Sequence, residues 1–271
     1  MHEKIITLYC VCADFLTAFG HHEDVQSRVS TAEVMTTALV AAALFHGNQE
    51  RSRLFLREYG YIPRMLSKGQ FNRRLHAISE ETWQALFALL AEAHKRANEG
   101  QDYVIDSMPV PVCDNYRIGR CRLYCSEEYR GVIASKKRYF YGLRVHLVIT
   151  KTGKPVEFVL APGSWADIRV CQNMNHDLPK EANLFADPAY TDYELEDLLK
   201  EQGIHLIAGR KKNSLRQHPA WVQYICSKTR KQVETTFSVI AQQFPKHIHA
   251  ITPRGFELKV VATILTHSIL A

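Results

Sequence analysis

The chain has 271 residues, of which 46% are hydrophobic and 23% are charged, so it can bury a substantial core and is neither disordered nor fibrous. No apolar stretch approaches the roughly 18 residues that a membrane span needs, and the first residues lack the charge and apolar order of a signal peptide. Seven cysteines are an odd number for a disulfide framework. We therefore expect a soluble cytoplasmic protein with reduced thiols, one or two domains and no membrane contact.

The first hundred residues are predicted to be helical. Ser30 and Glu33 have the form of a capping box, which predicts a helix from about Thr31 to His46. An amphipathic helix is also expected from Ser79 to Arg96. It ends near Gly100, which marks the predicted boundary between a helical domain, 1–100, and a second domain, 101–271.

A short helix between these two carries polar and basic side chains. Ser67 is predicted to cap it, while Phe71 and Leu75 anchor it to the rest of the domain. Its candidate DNA-contacting residues are Gln70, Asn72, Arg73 and Arg74. The pattern fits the groove-reading helix of a helix-turn-helix unit, and equally a surface helix of an ordinary bundle.

Beyond residue 100 the periodicity indicates strands alternating with helices. Tyr139 to Ile149 alternates with a period of two, Lys151 to Lys154 has the form of a turn, and Val156 to Leu160 is predicted to return beside the first strand. Further strands are expected at 182–186 and 204–208, and helices at 167–174, 193–200, 228–244 and 256–270. This order predicts an α/β domain with one mixed sheet flanked by helices.

Three carboxylates are the candidate functional residues. Asp106 closes the apolar run Tyr103–Ile105, and Asp187 closes the run Leu184–Ala186. An acid at the end of a buried strand costs free energy unless a cation or hydrogen bonds compensate it, and neighbouring strand ends can converge at one edge. Glu234 lies at the margin of an apolar helix stripe and could lean toward that edge. Carboxylate oxygens suit Mg²⁺, so the three acids indicate a metal site, with structural carboxylates as the alternative.

Basic residues flank these acids in a chain of net charge +6. One tract runs from Arg117 to Arg144, and a second, from Gln202 to Val233, contains no acid. The candidate DNA contacts in the two tracts are Lys136, Lys137, Arg138, Arg210, Lys211, Lys212 and Arg230. Either tract alone could be a solvated surface, but two tracts beside buried acids favour a surface that binds a phosphate backbone.

Three segments resemble the sequence blocks of DDE-type insertion-sequence transposases, namely Asp106–Val110, Leu184–Tyr190 and Arg230–Phe237. The similarity covers the chain from about Tyr103 to the C-terminus. The length, the helical N-terminal region and the segment Tyr139–His146 resemble in particular the insertion-sequence 982 family.

This resemblance implies a ribonuclease-H-like (retroviral-integrase-like) catalytic fold in residues 101–271. It implies that Asp106, Asp187 and Glu234 hold two Mg²⁺ or Mn²⁺ ions, with Asp106 bridging both. The implied reaction is endonuclease cleavage at the transposon end, followed by attack of the freed 3′-hydroxyl on target DNA. A homodimer is expected in the synaptic complex, because two ends must be joined.

The sequence departs from the tyrosine, arginine, glutamate, lysine signature of some related transposases. Arg230 and Glu234 match it, but Ser227 and Ala241 stand where the tyrosine and the lysine would be. A DNA-hairpin intermediate is therefore not carried over, and Arg230 could instead form an ordinary helix ion pair with Glu234. Two other functions remain open: a site-specific metal-dependent endonuclease without strand transfer, and a non-catalytic DNA-binding descendant.

Two further segments have more than one interpretation. Ser164 or Asp167 is predicted to cap the helix that begins there, and Trp165 could contact DNA. His146 shares a strand face with Arg144, so it could contact phosphate or form a hydrogen bond in the core. No glycine loop of the Walker type is present, so no nucleotide cofactor is expected.

Overall fold

A computed structural model describes residues 1–133, 137–244 and 248–271, apart from the side chains of Gln232 and Val233. The chain forms two compact units, one from Met1–Leu90 with Gln242–Ala271 and the other from Ala91–Ala241. Among the described residues, no helix is both long and apolar enough to span a bilayer.

The described helices are α1 (His2–Ala18), α2 (Thr31–Phe45), α3 (Gln49–Glu58), α4 (Lys68–Ala77), α5 (Glu80–Ala97), α6 (Asp167–Gln172), α7 (Tyr193–Glu201), α8 (Ala220–Gln243) and α9 (Pro253–Leu270). The described strands are β1 (Asp102–Cys113), β2 (Arg130–Ile133), β3 (Arg138–Thr150), β4 (Pro155–Pro162), β5 (Ala182–Ala186) and β6 (Ile204–Ala208).

Two helices begin where their capping residues predict. The Ser30 side chain accepts a hydrogen bond from the amide of Glu33, whose carboxylate accepts one from the amide of Ser30. Ser67 and Gln70 form the same reciprocal pair at the start of α4. These bonds satisfy backbone donors that have no partner inside the helix, so both predicted helix starts are confirmed.

The last helix packs within the first unit. α9 lies against α1 and α2, and the Thr266 hydroxyl donates to the carbonyl of Leu39 at 3.1 Å. Most of α9 from Val260 to Ser268 is buried, so the helix has no polar stripe to indicate which neighbour it faces. The sequence-based division assigned α9 to the domain 101–271, whereas the structure groups residues 242–271 with the helices of the first unit.

The second unit holds a mixed sheet, which confirms the predicted α/β architecture. The strand order in the described part of the chain is β2-β3-β1-β5-β6, and β4 also pairs with β3. β3 is antiparallel to β1, β2 and β4, while β5 is parallel to both β1 and β6. β2 and β4 lie one after the other along the same side of β3. The short strand β2 was not predicted, since four residues are too few to display an alternating pattern.

The first strand extends further than its sequence suggests. The prediction ended it at Asp106, but β1 continues through Pro109 and Pro111 and pairs with β3 as far as Cys113. Proline cannot donate a ladder hydrogen bond and is tolerated mainly where a strand edge is free. β5 pairs with β1 only as far as Val104, so no described strand borders the later residues on that side. Asp106 is therefore in the middle of β1, just beyond the end of its parallel pairing.

Candidate active site

The sheet brings two of the three candidate acids to the same level. β1 and β5 run parallel, and the last paired residues are Val104 and Phe185. Asp106 and Asp187 each lie two residues further along their chains. Adjacent parallel strands advance by nearly equal steps, so this register places the two carboxylates side by side at the end of the parallel pairing.

Burial is the main reason why the pKa of Asp106 is raised to about 6. The negative charges of Asp187 and Asp167 also raise the pKa of Asp106, whereas the amide of Ser107 and the charge of Arg230 lower it. The site therefore holds a carboxylate whose ionised form is poorly compensated by the protein. A bound cation would supply the missing compensation.

The carboxylate oxygens of Asp106 and Asp187 differ in the hydrogen bonds that they accept. The amide of Ser107 donates to Asp106 Oδ1 at 2.7 Å, and Oδ2 receives no hydrogen bond from the described residues. Asp187 Oδ1 accepts from the amide of Ala189 at 2.8 Å, and its Oδ2 accepts from Arg230 Nη2 at 2.9 Å. Asp106 thus has one oxygen available to a ligand. Asp187 would have to give up its contact with the Arg230 guanidinium before its Oδ2 could bind one.

Glu234 is not assembled with the other two acids. It lies on α8 one helical turn after Arg230, so it shares that side of the helix, but its side chain is exposed. Within the described parts of the chain, no group of three histidine, cysteine or acidic residues is close enough to hold a metal ion. Arg230 pairs with Asp187 and not with Glu234, so the ion pair considered from the helix spacing is replaced by a contact to the strand acid.

Asp106 and Asp187 fit a hard divalent cation. Mg²⁺ is commonly held by one or two carboxylates, with water and substrate phosphates completing its coordination. The oxygens of these two residues meet that description, and the available Asp106 oxygen supports it most directly. A three-acid site would require the exposed side chain of Glu234 to turn toward them.

A buried polar cluster beside Asp106 was not predicted. Ser107 Oγ donates to Asp167 Oδ1 at 2.8 Å, and Arg144 Nη1 lies 3.3 Å from the same oxygen. The predicted cap by Ser164 or Asp167 is wrong, because Ala166 precedes the first turn of α6 without a side-chain cap bond. The contact between Ser107 and Asp167 spans sixty residues, so no local sequence pattern indicates it.

His146 belongs to the core of this cluster and not to a phosphate-binding surface. Its side chain is fully buried, and its Nδ1 lies 3.2 Å from the hydroxyl of Tyr190. Burial, with a smaller effect of the charge of Arg144, lowers the pKa of His146 to about 3. The imidazole is therefore neutral at physiological pH, and of its two interpretations the structure supports the core hydrogen bond.

Several predicted DNA contacts are exposed and form no ion pair with any other described residue. They are Asn72 and Arg73 on α4, Lys137 and Arg138 at the start of β3, and Lys211 and Lys212 after β6. Lys136 lies outside the described residues. Contact with DNA stays a prediction for these exposed side chains.

Other predicted DNA contacts are engaged within the protein. Arg210 was predicted to contact DNA, but its side chain is only 2% exposed. It donates to both carboxylate oxygens of Glu196 at 2.7 and 2.6 Å. Its partner comes from α7, outside the acid-free stretch of sequence. Arg74 donates to the hydroxyl of Ser27 at 2.6 Å, and Gln70 serves in the capping box of α4.

Comparison with known proteins identifies the second unit. A family profile described as a transposase DDE domain matches residues 96–249, more than half of the chain and including all three candidate acids. A solved structure of the piggyBac transposase in a synaptic complex with hairpin DNA is similar at 11% identity and a TM-score of 0.49, over 97% of this chain and 71% of that one. No curated protein matches the sequence significantly.

Proposed function

The chain belongs to the family of transposases with a DDE domain, and we propose that it cuts the ends of an insertion sequence and joins the freed 3′-hydroxyl to target DNA. The observation that carries the proposal is the register of β1 and β5, which sets Asp106 beside Asp187. The resemblance of the motifs to the insertion-sequence 982 family supports the finer assignment. The mixed sheet flanked by helices is consistent with a ribonuclease-H-like fold.

In the proposed site, Asp106 and Asp187 would hold two Mg²⁺ or Mn²⁺ ions, and Glu234 would complete the set of ligands by turning in from α8. When bound, the two ions supply Lewis acidity to the scissile phosphate and lower the pKa of the attacking water. The amide of Ser107 orients one oxygen of Asp106 and leaves the other for coordination. Arg230 neutralises Asp187 before substrate binds, and its guanidinium would be released to contact a phosphate when a cation takes its place.

We propose double-stranded DNA as the substrate of this site, bound partly by the exposed basic residues. Lys137 immediately precedes β3 and Arg138 is its first residue, while Lys211 and Lys212 follow β6. Phosphate binding by such side chains releases counterions and so depends strongly on salt. In the first unit, Asn72 and Arg73 on α4 are proposed to contact the element's end. A homodimer would hold two ends together, and the cytoplasm is the proposed location.

The direct test incubates the protein with DNA from the ends of its element and Mg²⁺ or Mn²⁺, and maps nicks and joined products. We expect nicks at the element's ends followed by joining to target DNA, and loss of both in Asp106→Asn. Asp197→Asn, which alters an exposed carboxylate paired with Arg216, is the matched control. Nicks without joining would favour the endonuclease alternative. Binding without any cleavage would indicate the non-catalytic alternative.

A further inference from the structure

A fourth acid, Asp167, is near enough to Asp106 for its charge to affect that carboxylate. Asp167 is the first residue of α6, and its side chain is 19% exposed. We propose that Asp167 is a positioning residue of the active site, which acts through Ser107 to hold the Asp106 carboxylate in the orientation that binds a divalent cation. The inference rests on the proposed function, because it needs Asp106 to be a metal ligand.

The contacts form a continuous path between the two carboxylates. The hydroxyl of Ser107 donates to Asp167 Oδ1 at 2.8 Å, and the main-chain amide of Ser107 donates to Asp106 Oδ1 at 2.7 Å. The amide bond is at the short end of the range for N–H···O hydrogen bonds, and the hydroxyl bond has the usual length of an O–H···O hydrogen bond. A shift of Ser107 would therefore rotate or release the Asp106 carboxylate.

The surroundings of Asp167 fix its carboxylate as well. Arg144 Nη1 lies 3.3 Å from Asp167 Oδ1, while Nη2 donates to the carbonyl of Val132 at 3.0 Å. The guanidinium offsets the charge of Asp167 and ties it to the end of β2. Buried His146 presents Nε2 at 3.9 Å from Asp167 Oδ1, which is too long for a hydrogen bond, and that nitrogen has no other partner among the described residues.

The start of α6 is anchored by its preceding loop. The amide of Gly163 donates to the carbonyl of Gly142 at 3.0 Å, and the amide of Ser164 donates to the carbonyl of Glu128 at 2.9 Å. A Cβ atom on Gly163 would lie 2.9 Å from the Gly142 carbonyl oxygen, so only glycine permits this approach. Asp167 thus projects from a loop fixed to β3, and its carboxylate is not used to cap its own helix.

Groups that orient a metal ligand typically affect metal affinity by roughly 10- to 100-fold when they are replaced. Titration of the full-length protein with MnCl₂, measured by calorimetry without DNA, reads this effect independently of activity. We expect Asp167→Asn and Ser107→Ala each to weaken Mn²⁺ binding by roughly tenfold. Ser107→Thr retains the hydroxyl and should bind Mn²⁺ within about twofold of wild type, by the same argument. Asp197→Asn is the matched control and should bind as wild type does.

The double variant Asp167→Asn/Ser107→Ala separates the path from simple loss of charge. If Asp167 acts through Ser107, the double variant should bind Mn²⁺ about as weakly as either single variant, since contacting residues couple. If the two effects multiply, Asp167 acts by its charge alone and the proposed path is overturned. Melting temperatures identify any variant that does not fold, and the Ser107→Ala and Ser107→Thr pair tests the path without altering Asp167.

The outcomes distinguish this inference from the proposed function. If wild-type protein does not bind Mn²⁺, or if Asp106→Asn binds it unchanged, the proposed metal site fails and the positioning role fails with it. If Asp106→Asn abolishes binding while Asp167→Asn and Ser107→Ala leave it unchanged, only the positioning role is overturned. A lower melting temperature with unchanged Mn²⁺ affinity would likewise show that the cluster is merely structural.

Discussion

The strand acids and the helix acid are held in different ways. Asp106 and Asp187 are fixed by the register of two paired strands, and each has a main-chain amide on one carboxylate oxygen. Glu234 shares the side of α8 that carries Arg230, but its side chain is exposed and forms no ion pair with a described residue. Sheet pairing therefore positions two of the three proposed ligands in the absence of a cation, whereas the third proposed ligand would have to move toward them. The following predictions test that difference.

The largest effect is expected from the strand acids. Asp106→Asn or Asp187→Asn should lower metal-dependent DNA cleavage by about 1000-fold or more, because several kcal/mol of charge stabilisation are lost. The rate of nicking of end DNA in Mg²⁺ measures this, with Asp197→Asn as the control. Cleavage by Asp106→Asn at the wild-type rate would remove Asp106 from the site.

Replacement of the helix acid tests whether α8 joins the site. If Glu234 turns in when cation and DNA are present, Glu234→Gln should reduce cleavage by about 100-fold or more while changing Mn²⁺ affinity of the free protein by less than about threefold. Parallel measurements of nicking and of Mn²⁺ binding give the two values. Equal losses in both would show that Glu234 is already a ligand in the free protein. No loss in either would exclude it.

A buried and a partly exposed arginine ion pair should differ in their contribution to the free energy of unfolding. Arg210→Ala leaves Glu196 buried and unpaired and should cost about 3 kcal/mol of unfolding free energy. Arg230→Ala breaks a pair in which both side chains are about one third exposed and should cost less than about 1 kcal/mol. Urea denaturation measures both. A large loss for Arg230→Ala would mean that α8 is fixed to Asp187 and is not free to adjust.

The raised pKa of Asp106 predicts a pH-dependent gain in stability for Asp106→Asn. Because the pKa rises from 3.8 in the unfolded chain to about 6 in the fold, Asp106 stabilises the protein fully below about pH 4 and loses that effect as pH rises through 6. In EDTA, the unfolding free energy of Asp106→Asn should therefore exceed that of wild type by roughly 3 kcal/mol at pH 8. The difference should vanish near pH 4. Denaturation curves between pH 4 and 8 measure the difference in unfolding free energy between the two proteins. A difference that stayed constant over this range would contradict the prediction.

The smallest expected effect concerns DNA affinity. Lys211→Ala/Lys212→Ala should lower the slope of log K against log salt by about 2, since two phosphate contacts are lost, and should leave stability within about 0.5 kcal/mol. Fluorescence anisotropy at several salt concentrations measures the slope. Lys200→Ala, an exposed lysine on the acidic helix α7, is the control. An unchanged slope would remove both lysines from the DNA-binding surface.

Local patterns predicted the parts of this fold that depend on local chemistry. Capping residues at Ser30 and Ser67 gave helix starts, and apolar runs gave the bounds of β5 and β6. The missed features depend on partners far away in the sequence. β1 continues through two prolines only because β5 leaves its edge free, and Arg210 is buried because Glu196 approaches from α7. The hydrogen bond from Ser107 to Asp167 could not be predicted for the same reason.

We propose that Asp106 and Asp187 together hold a divalent cation. Anomalous scattering from crystals soaked in MnCl₂ tests it without reference to activity. We expect a peak at the end of the β1–β5 pairing, about 2.1 Å from an oxygen of Asp106 and close to Asp187. A fully occupied Mn²⁺ site elsewhere, with Arg230 still bonded to Asp187 and no peak at Asp106, would contradict it.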